Sequence, residues 1–180
     1  TLAHALSKKE NFTTAFEQHN ERPFQALFKQ DATYALANQM DYLLYRAEQE
    51  RELRKGDAPA LMDGGLDLDF HGFTRLFHTR GLLSDAEFDL CHRFYFHTRS
   101  LLPPPELVIA LSADSQTISQ RLAARNRINI ASSEDAGLLE DYVNEWLESI
   151  PESNILKLNV SQENSAYTHS VLHILNKIFT

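Results

Sequence analysis

Short apolar segments that end near acidic residues constrain the fold of this chain more than any other feature. The segments with the length and composition of buried strands are residues 12–16, 58–62, 107–111 and 154–160. Helical patterns separate them, which indicates βαβ units and a three-layer α/β fold, a parallel sheet with helices on both faces. Ligands in such folds bind beyond the carboxyl ends of the strands, where Glu17, Asp63 and Asp114 fall.

Capping signals and apolar spacing define the predicted helices. Asp31 is an N-cap for a long helix that Gly56 ends, and Ser84-Asp85-Ala86-Glu87 is a capping box. Arg99 falls at a helix end, where a basic residue complements the helix dipole. Residues 126–137 are polar and predicted to be irregular. The predicted helices cover residues 31–55, 69–80, 85–100, 115–125, 138–149 and a last stretch from about residue 165.

Composition and charge narrow the class of protein. With 180 residues, of which 43% are hydrophobic and 23% charged, the chain fits one globular domain over residues 1–180. The net charge of -8 argues against nucleic acid as the main partner, because that partner requires clustered cationic surface. The chain has one cysteine and no apolar run of the roughly 18 residues that a spanning helix needs. We therefore expect no internal disulfide, no membrane insertion and a cytoplasmic location.

The stretch "LMDGGLDLDF", residues 61–70, suggests two sites that its details argue against. Asp67, Asp69 and His71 alternate as in a metal loop, but the central glycine and final glutamate of a calcium loop are missing. Gly64 and Gly65 suggest a phosphate cradle, but no Gly-Lys pair follows them. The stretch is better explained as a strand end that leads into a helix with an apolar stripe.

Two longer stretches resemble the deoxyribonucleoside kinase family of P-loop NTPases. "LLPPPELVIALSADSQTISQRLAARNR", residues 101–127, resembles the family's proline-rich turn, buried strand, acidic turn and arginine-bearing helix, which leads into a lid. "FKQDATYALANQMDYLLYRAEQE" resembles the family helix in which a glutamine and an arginine seven residues later face the nucleoside. Gln39 and Arg46 match those positions, and two helical turns put them on one face.

The resemblance also implies roles for other residues. Asp63-Gly64-Gly65 aligns with the family's Asp/Glu-Arg-Ser motif, so that Asp63 would hold Mg²⁺ through water while the motif arginine is missing. Asp69 falls where the family often has an acid that contacts the base, and Phe28 stands where a tyrosine usually contacts the sugar. Glu17 matches the catalytic glutamate that accepts the 5'-hydroxyl proton. The lid, at about residues 121–137, would bring three arginines to the transferring phosphate: Arg121, Arg125 and Arg127.

The activity implied by the resemblance is transfer of the γ-phosphate of ATP to the 5'-hydroxyl of a deoxynucleoside, with Mg²⁺. A purine is slightly favoured, since the sequence looks most like bacterial deoxyadenosine and deoxyguanosine kinases, and a homodimer is expected through the helices at 69–80 and 85–100.

The family's first strand and phosphate-binding loop are expected to precede Thr1-Leu2-Ala3, which resembles the segment just after that loop. Two alternatives remain: a nucleoside-binding protein with impaired catalysis, and the kinase domain of a larger fused enzyme.

Overall fold

Short parallel strands alternate with helices along the chain. In this computed structural model the described residues are 1–16, 21–114, 117, 133–163 and 166–179. The strands are β1 (Thr13–Ala15), β2 (Ala60–Met62), β3 (Val108–Ser112) and β4 (Ile155–Asn159). They correspond to the four predicted segments, with ends that differ by a few residues.

The helices account for most of the described residues. They are α1 (Leu2–Ser7), α2 (Pro23–Phe28), α3 (Ala35–Leu53), α4 (Leu66–Leu68), α5 (Arg75–Thr79), α6 (Asp85–Leu101), α7 (Ser133–Glu148) and α8 (Thr168–Phe179). A π-helical segment, Asp69–Thr74, continues α4 directly into α5, and short 3-10 turns lie at Ala32–Tyr34 and Glu152–Asn154. Within the described ranges, none of these helices has the length and apolar character needed to cross a membrane.

The strands form two parallel pairs that share one apolar layer. In the first pair Thr13 of β1 lies opposite Ala60 of β2, and in the second Val108 of β3 lies opposite Ile155 of β4. A buried cluster from α1 and α8 packs against both pairs. Its members are Leu2, Leu6, Val171 and Ile174, and the strand residues Leu61, Ile109, Leu156 and Leu158 pack on it. Because α3 also packs against β1 and β2, helices lie on both sides of the parallel strands, and the predicted α/β fold is confirmed.

A second apolar cluster holds the 66–79 segment between α3 and α6. Its buried members are Ala35, Leu43, Leu66, Phe70, Phe77, Leu83, Cys91 and Tyr95. The rings of Phe70 and Tyr95 stack with their centroids 4.1 Å apart. Burial raises the pKa of the Cys91 thiol to about 11, so this side chain acts as a small apolar group in the cluster. The cluster fixes the segment that follows the glycine pair.

The predicted caps are present. Asp31 accepts a hydrogen bond from the backbone N–H of Thr33 at 2.9 Å, although the turn that it caps is a 3-10 turn and α3 itself begins at Ala35. At α6, the backbone N–H of Ser84 donates to Glu87 at 2.7 Å, and Ser84 accepts from the backbone N–H of Glu87 at 3.4 Å. These local signals need no tertiary contact, which explains why the sequence reveals them.

Other boundaries differ from the prediction. The segment expected to be irregular up to residue 137 is helical from Ser133, because α7 begins there rather than at residue 138. Asp135 in its first turn favours a helix N-terminus, and it pairs with Arg80 at 2.6 Å. The last helix begins at Thr168 rather than near residue 165. The predicted helix 115–125 lies outside the described residues except for Thr117, whose backbone N–H donates to Asp114 at 2.7 Å.

Candidate functional site

Three of the predicted substrate-binding residues meet between α3 and the π-helical segment. Arg46 on α3 donates from Nε to Oδ2 of Asp69 at 2.9 Å, and both side chains are about one-tenth exposed, at 8% and 10%. Gln39, two turns earlier on the same face of α3, donates from Nε2 to the backbone carbonyl of Asp69 at 3.1 Å. The sequence separation of seven residues therefore brings both α3 side chains to one acidic residue.

The hydrogen bonds to the backbone carbonyl of Asp69 account for the π-helical geometry. Its backbone carbonyl accepts from Gln39 Nε2 and also from the Thr74 hydroxyl, at 3.0 Å. A carbonyl in a regular α-helix accepts chiefly from a backbone N–H four residues on, and side-chain donors inserted at this point widen the turn. We attribute the π-helix over Asp69–Thr74 to these two donors. The predicted regular helix over 69–80 is wrong in this detail.

The glycine pair follows β2 in an extended bend with positive φ angles. The backbone N–H of Asp63 donates to the carbonyl of Ala15 at 2.9 Å, which continues the pairing of β1 and β2. Gly64 has a φ of 81° and Gly65 a φ of 156°, a region that side-chain-bearing residues rarely adopt. A Cβ atom at position 64 would lie 3.1 Å from Nη2 of Arg46. The guanidinium of Arg46 thus occupies the space beside Gly64 that a side chain would need.

Further contacts fix the Arg46 guanidinium over the end of β2. Its Nη1 lies 3.5 Å from the backbone carbonyl of Asp63 and 3.1 Å from Oε1 of Gln49. Arg22, a second arginine near α3, makes a two-pronged pair with Asp41, at 2.5 and 2.6 Å, and its guanidinium lies 4.3 Å above the ring of Tyr45. This pairing with Asp41 raises the pKa of Arg22. Gly64 stands in place of the motif arginine, and among the described residues Arg46 brings a guanidinium to the end of β2.

Asp63 has the chemistry expected of a magnesium ligand. Its side chain is half-buried at the carboxyl end of β2. The hydrogen bonds that Asp63 makes with described residues use its backbone, and none of them ends on its carboxylate. Mg²⁺ commonly takes one or two protein carboxylates and completes its shell with waters and substrate phosphates. No group of three or more His, Cys, Asp or Glu side chains in the described part of the chain is arranged to hold a metal. A single carboxylate with water therefore fits Mg²⁺ here and does not fit a metal held by protein alone.

Phe28 lies outside the hydrogen-bonded set. It is on α2, half-buried, and its ring centroid is 5.2 Å from that of Phe77. Phe28 packs against the second apolar cluster, which also contains Phe70 and Leu66. The structure therefore gives this residue a packing role, and its predicted role beside the sugar stays a prediction.

The four residues predicted to be catalytic lie outside the described residues. They are Glu17, Arg121, Arg125 and Arg127. Their assignments rest on the resemblance alone and stay predictions.

A buried ionic network beside the site was not predicted. Arg99 on α6 donates from Nε and Nη2 to the two carboxylate oxygens of Asp67, at 3.0 and 2.7 Å, and from Nη1 to Glu50 on α3 at 2.9 Å. The hydroxyl of Tyr95 donates to Asp67 at 2.7 Å, and burial together with this carboxylate raises the pKa of Tyr95. His71 contacts the same hydroxyl at 3.1 Å, and its burial lowers its pKa.

Arg99 lies in the last turn of α6, as predicted, but the sequence did not indicate that this network buries its guanidinium to 10% exposure. A sequence signal for it does exist. Arg99 lies four residues after Tyr95 and eight after Cys91, both of which are buried, so all three share the inner face of α6.

Comparison with known proteins decides the family. The family model for deoxynucleoside kinases matches residues 1–179. The chain belongs to the deoxynucleoside kinase family.

Solved structures support the fold of this family member. A deoxyadenosine kinase from M. mycoides with bound dCTP is 16% identical, with a TM-score of 0.77, and the match covers 98% of this chain and 90% of that chain. A structure of deoxyadenosine kinase from M. mycoides with bound dATP is also 16% identical, with a TM-score of 0.75, and covers 99% of this chain and 92% of that chain. A search of curated protein sequences found no match.

Gly64→Ala is expected to destabilise this kinase by more than the cost of positive φ alone. A side-chain-bearing residue with positive φ costs about 1–2 kcal/mol, and the added Cβ must also displace Arg46 from its 3.1 Å contact. Gly81→Ala is the matched control, since Gly81 has a φ of 69° and nothing within 4 Å of its Cβ position. Urea unfolding of both variants measures the difference, and equal losses of stability would contradict the role given to Arg46.

Proposed function

We propose that this chain transfers the γ-phosphate of ATP to the 5'-hydroxyl of a deoxynucleoside, with the base held at Gln39, Arg46 and Asp69. The proposal rests on the buried hydrogen bonds that Gln39 and Arg46 make to Asp69 beside the end of β2, in a chain of the deoxynucleoside kinase family. An amide, a guanidinium and a carboxylate together offer donors and acceptors to a base edge. Base recognition by such groups discriminates strongly, because a mismatched base leaves buried polar atoms unpaired.

The proposed chemistry is an in-line displacement at the γ-phosphorus. The 5'-oxygen forms the new bond to phosphorus, the bond to the oxygen that bridges the β- and γ-phosphates breaks, and ADP leaves. Glu17 accepts the proton of the attacking hydroxyl, and Arg121, Arg125 and Arg127 neutralise charge on the transferring group. Mg²⁺ bound to the nucleotide phosphates supplies further charge neutralisation. Asp63 would hold that ion through water, which its half-buried carboxylate permits.

The purine preference is a finer proposal. It is supported by the resemblance of the sequence to bacterial purine deoxynucleoside kinases and by the similar solved structures, which are of a deoxyadenosine kinase. Because those structures are only 16% identical to this chain, their substrates indicate which nucleosides to test first. We place the reaction in the cytoplasm, consistent with a single buried thiol and no disulfide.

A nucleoside-binding protein without turnover is the second candidate, because Gly64 stands in place of the motif arginine. A cation beside a transferring phosphoryl group contributes about 10³-fold or more to its rate. The test is incubation of the full-length protein with radiolabelled ATP, Mg²⁺ and each of the four deoxynucleosides, followed by separation of the products. Labelled deoxynucleoside monophosphate supports the kinase. If calorimetry shows that a deoxynucleoside binds but none of the four gives a labelled product, the result supports the nucleoside-binding protein.

We also propose a homodimer in which α6 contributes to the interface. This helix exposes large apolar side chains, Leu90 at 40%, Phe96 at 51% and Leu101 at 68%. Apolar side chains along one helix of a charged protein are a common feature of interfaces between subunits. Light scattering at micromolar concentration is expected to give twice the mass of the chain. A monomer mass across the concentration range would remove this part of the proposal.

A further inference from the structure

Both N–H groups of the Gln39 amide are used inside the protein. Nε2 lies 3.1 Å from the backbone carbonyl of Asp69 and 2.8 Å from the hydroxyl oxygen of Thr74. A backbone carbonyl can only accept, so the amide atom that faces it must be the NH₂ group. The orientation of the Gln39 amide therefore follows from the chemistry of its partner.

The Thr74 hydroxyl oxygen accepts a hydrogen bond from the second N–H of the Gln39 amide. The hydroxyl has a single O–H to donate, and its oxygen lies 3.0 Å from the same Asp69 carbonyl. A carbonyl can accept a hydrogen bond but cannot donate one, so the O–H donates to Asp69. Its oxygen is then left to accept from Gln39 Nε2. Thr74 is completely buried and Gln39 is 2% exposed, so water does not compete for these bonds. Three groups thus close a set of hydrogen bonds in which the amide has no donor left over.

The amide oxygen of Gln39 is the atom that remains for a ligand. No described residue donates to Oε1. Oε1 also keeps some exposure. In the described part of the chain, the fully buried side-chain polar atom without a partner is Oδ1 of Asn38, and Oε1 of Gln39 is not such an atom. An open acceptor on an otherwise buried side chain is suited to one donor from a bound molecule.

We propose that Thr74 is a positioning residue that sets base specificity by holding the Gln39 amide as an acceptor. This rests on the proposed function, in which Gln39 faces the nucleoside. A free amide can turn by 180° and serve either a donor or an acceptor on a base edge, whereas the held amide accepts only. The site then selects deoxynucleosides whose base carries an exocyclic amino group, which are those of adenine, cytosine and guanine. It selects against thymine, which presents carbonyl oxygens in place of an amino group.

The first arm of the test uses the unaltered protein. Steady-state kcat/KM is measured for all four deoxynucleosides, and for the best of them against its analogue with hydrogen in place of the amino group. A lost hydrogen bond of roughly 1.5 kcal/mol predicts that the analogue is worse by about tenfold. The loss is expected in KM, because the amide contacts the base in the ground state as well as in the transition state. Thymidine as the best substrate, or an analogue as good as its parent, would overturn the proposal.

The second arm compares Thr74→Val with Thr74→Ser. Valine keeps the shape of threonine and removes the hydroxyl, so that only the bond to the Asp69 carbonyl still holds the Gln39 amide and turning the amide costs one hydrogen bond instead of two. The preference for the amino base is therefore expected to fall to about threefold or less. Serine keeps the hydroxyl and should retain the tenfold preference. A folded Thr74→Val protein that keeps the full tenfold preference would contradict the proposal. Calorimetry measures the ratio of affinities for the amino-bearing nucleoside and its analogue without turnover. Absence of any phosphorylation by the unaltered protein would instead count against the proposed function.

Discussion

Replacing Arg99 with methionine is expected to lower the free energy of unfolding by about 3–5 kcal/mol, the usual cost of removing one partner from a buried ionic pair. Methionine fills much the same volume, so little of this loss comes from a cavity. The cause is the pair of carboxylates left behind. Asp67 and Glu50 are both about nine-tenths buried, and Arg99 reaches each of them within 3.0 Å. Arg54 still pairs with Glu50 at 2.6 Å, which leaves Asp67 as the larger part of the cost.

The matched control for Arg99 lies on the same helix. Arg93 is 73% exposed and pairs with Asp89 at 3.8 Å in an i,i+4 arrangement, so Arg93→Met is expected to change stability by about 0.5 kcal/mol or less. Urea unfolding followed by circular dichroism gives both values. Asp67→Asn in the Arg99→Met background should recover part of the loss, because a neutral amide needs no cation. A denaturation midpoint for Arg99→Met equal to that of Arg93→Met would contradict this account of the network.

The elements that the sequence revealed are those with local causes. The capping box at Ser84 and Glu87, the N-cap at Asp31 and the short apolar strands all depend on neighbours within a few residues. The approach of Gln39 and Arg46 to Asp69 was also predictable, since a helical repeat of seven residues aligns the first two and the resemblance supplied the third. Periodicity and local hydrogen bonding are sufficient for such predictions.

The features that the sequence did not reveal depend on contacts between distant residues. The π-helix over Asp69–Thr74 requires a donor from Gln39, which is 30 residues before Asp69. The burial of Arg99 requires Asp67 and Glu50 from two other helices, 32 and 49 residues away. No spacing rule predicts contacts between residues so far apart in sequence, because each of these side chains could equally be exposed to solvent on its own helix. The same holds for the Arg46 guanidinium beside Gly64, which only the folded arrangement shows.

Replacing Arg46 and Asp69 separately and together should distinguish a structural pair from a recognition pair. Arg46→Met leaves the Asp69 carboxylate nine-tenths buried beside an apolar side chain, so we expect a loss of stability of about 3–5 kcal/mol. The double variant Arg46→Met with Asp69→Leu removes both charges and should recover most of that stability, because apolar replacement of a whole buried pair is often neutral. Lys55→Met on the exposed pair with Glu52 is the control, with an expected change of about 0.5 kcal/mol or less.

Activity should not follow stability in this series. If Arg46 and Asp69 hold the base, the double variant keeps its fold and still loses their hydrogen bonds to the nucleoside. At about 1.5–3 kcal/mol for each charged hydrogen bond, kcat/KM is expected to fall by roughly 10²-fold or more in Arg46→Met, in Asp69→Leu and in the double variant. Phosphorylation assays at protein concentrations where each variant is folded measure this loss. A double variant with both the stability and the kcat/KM of the unaltered protein would show that the pair takes no part in binding. Recovery of stability without recovery of kcat/KM is the result that places the base at Arg46 and Asp69.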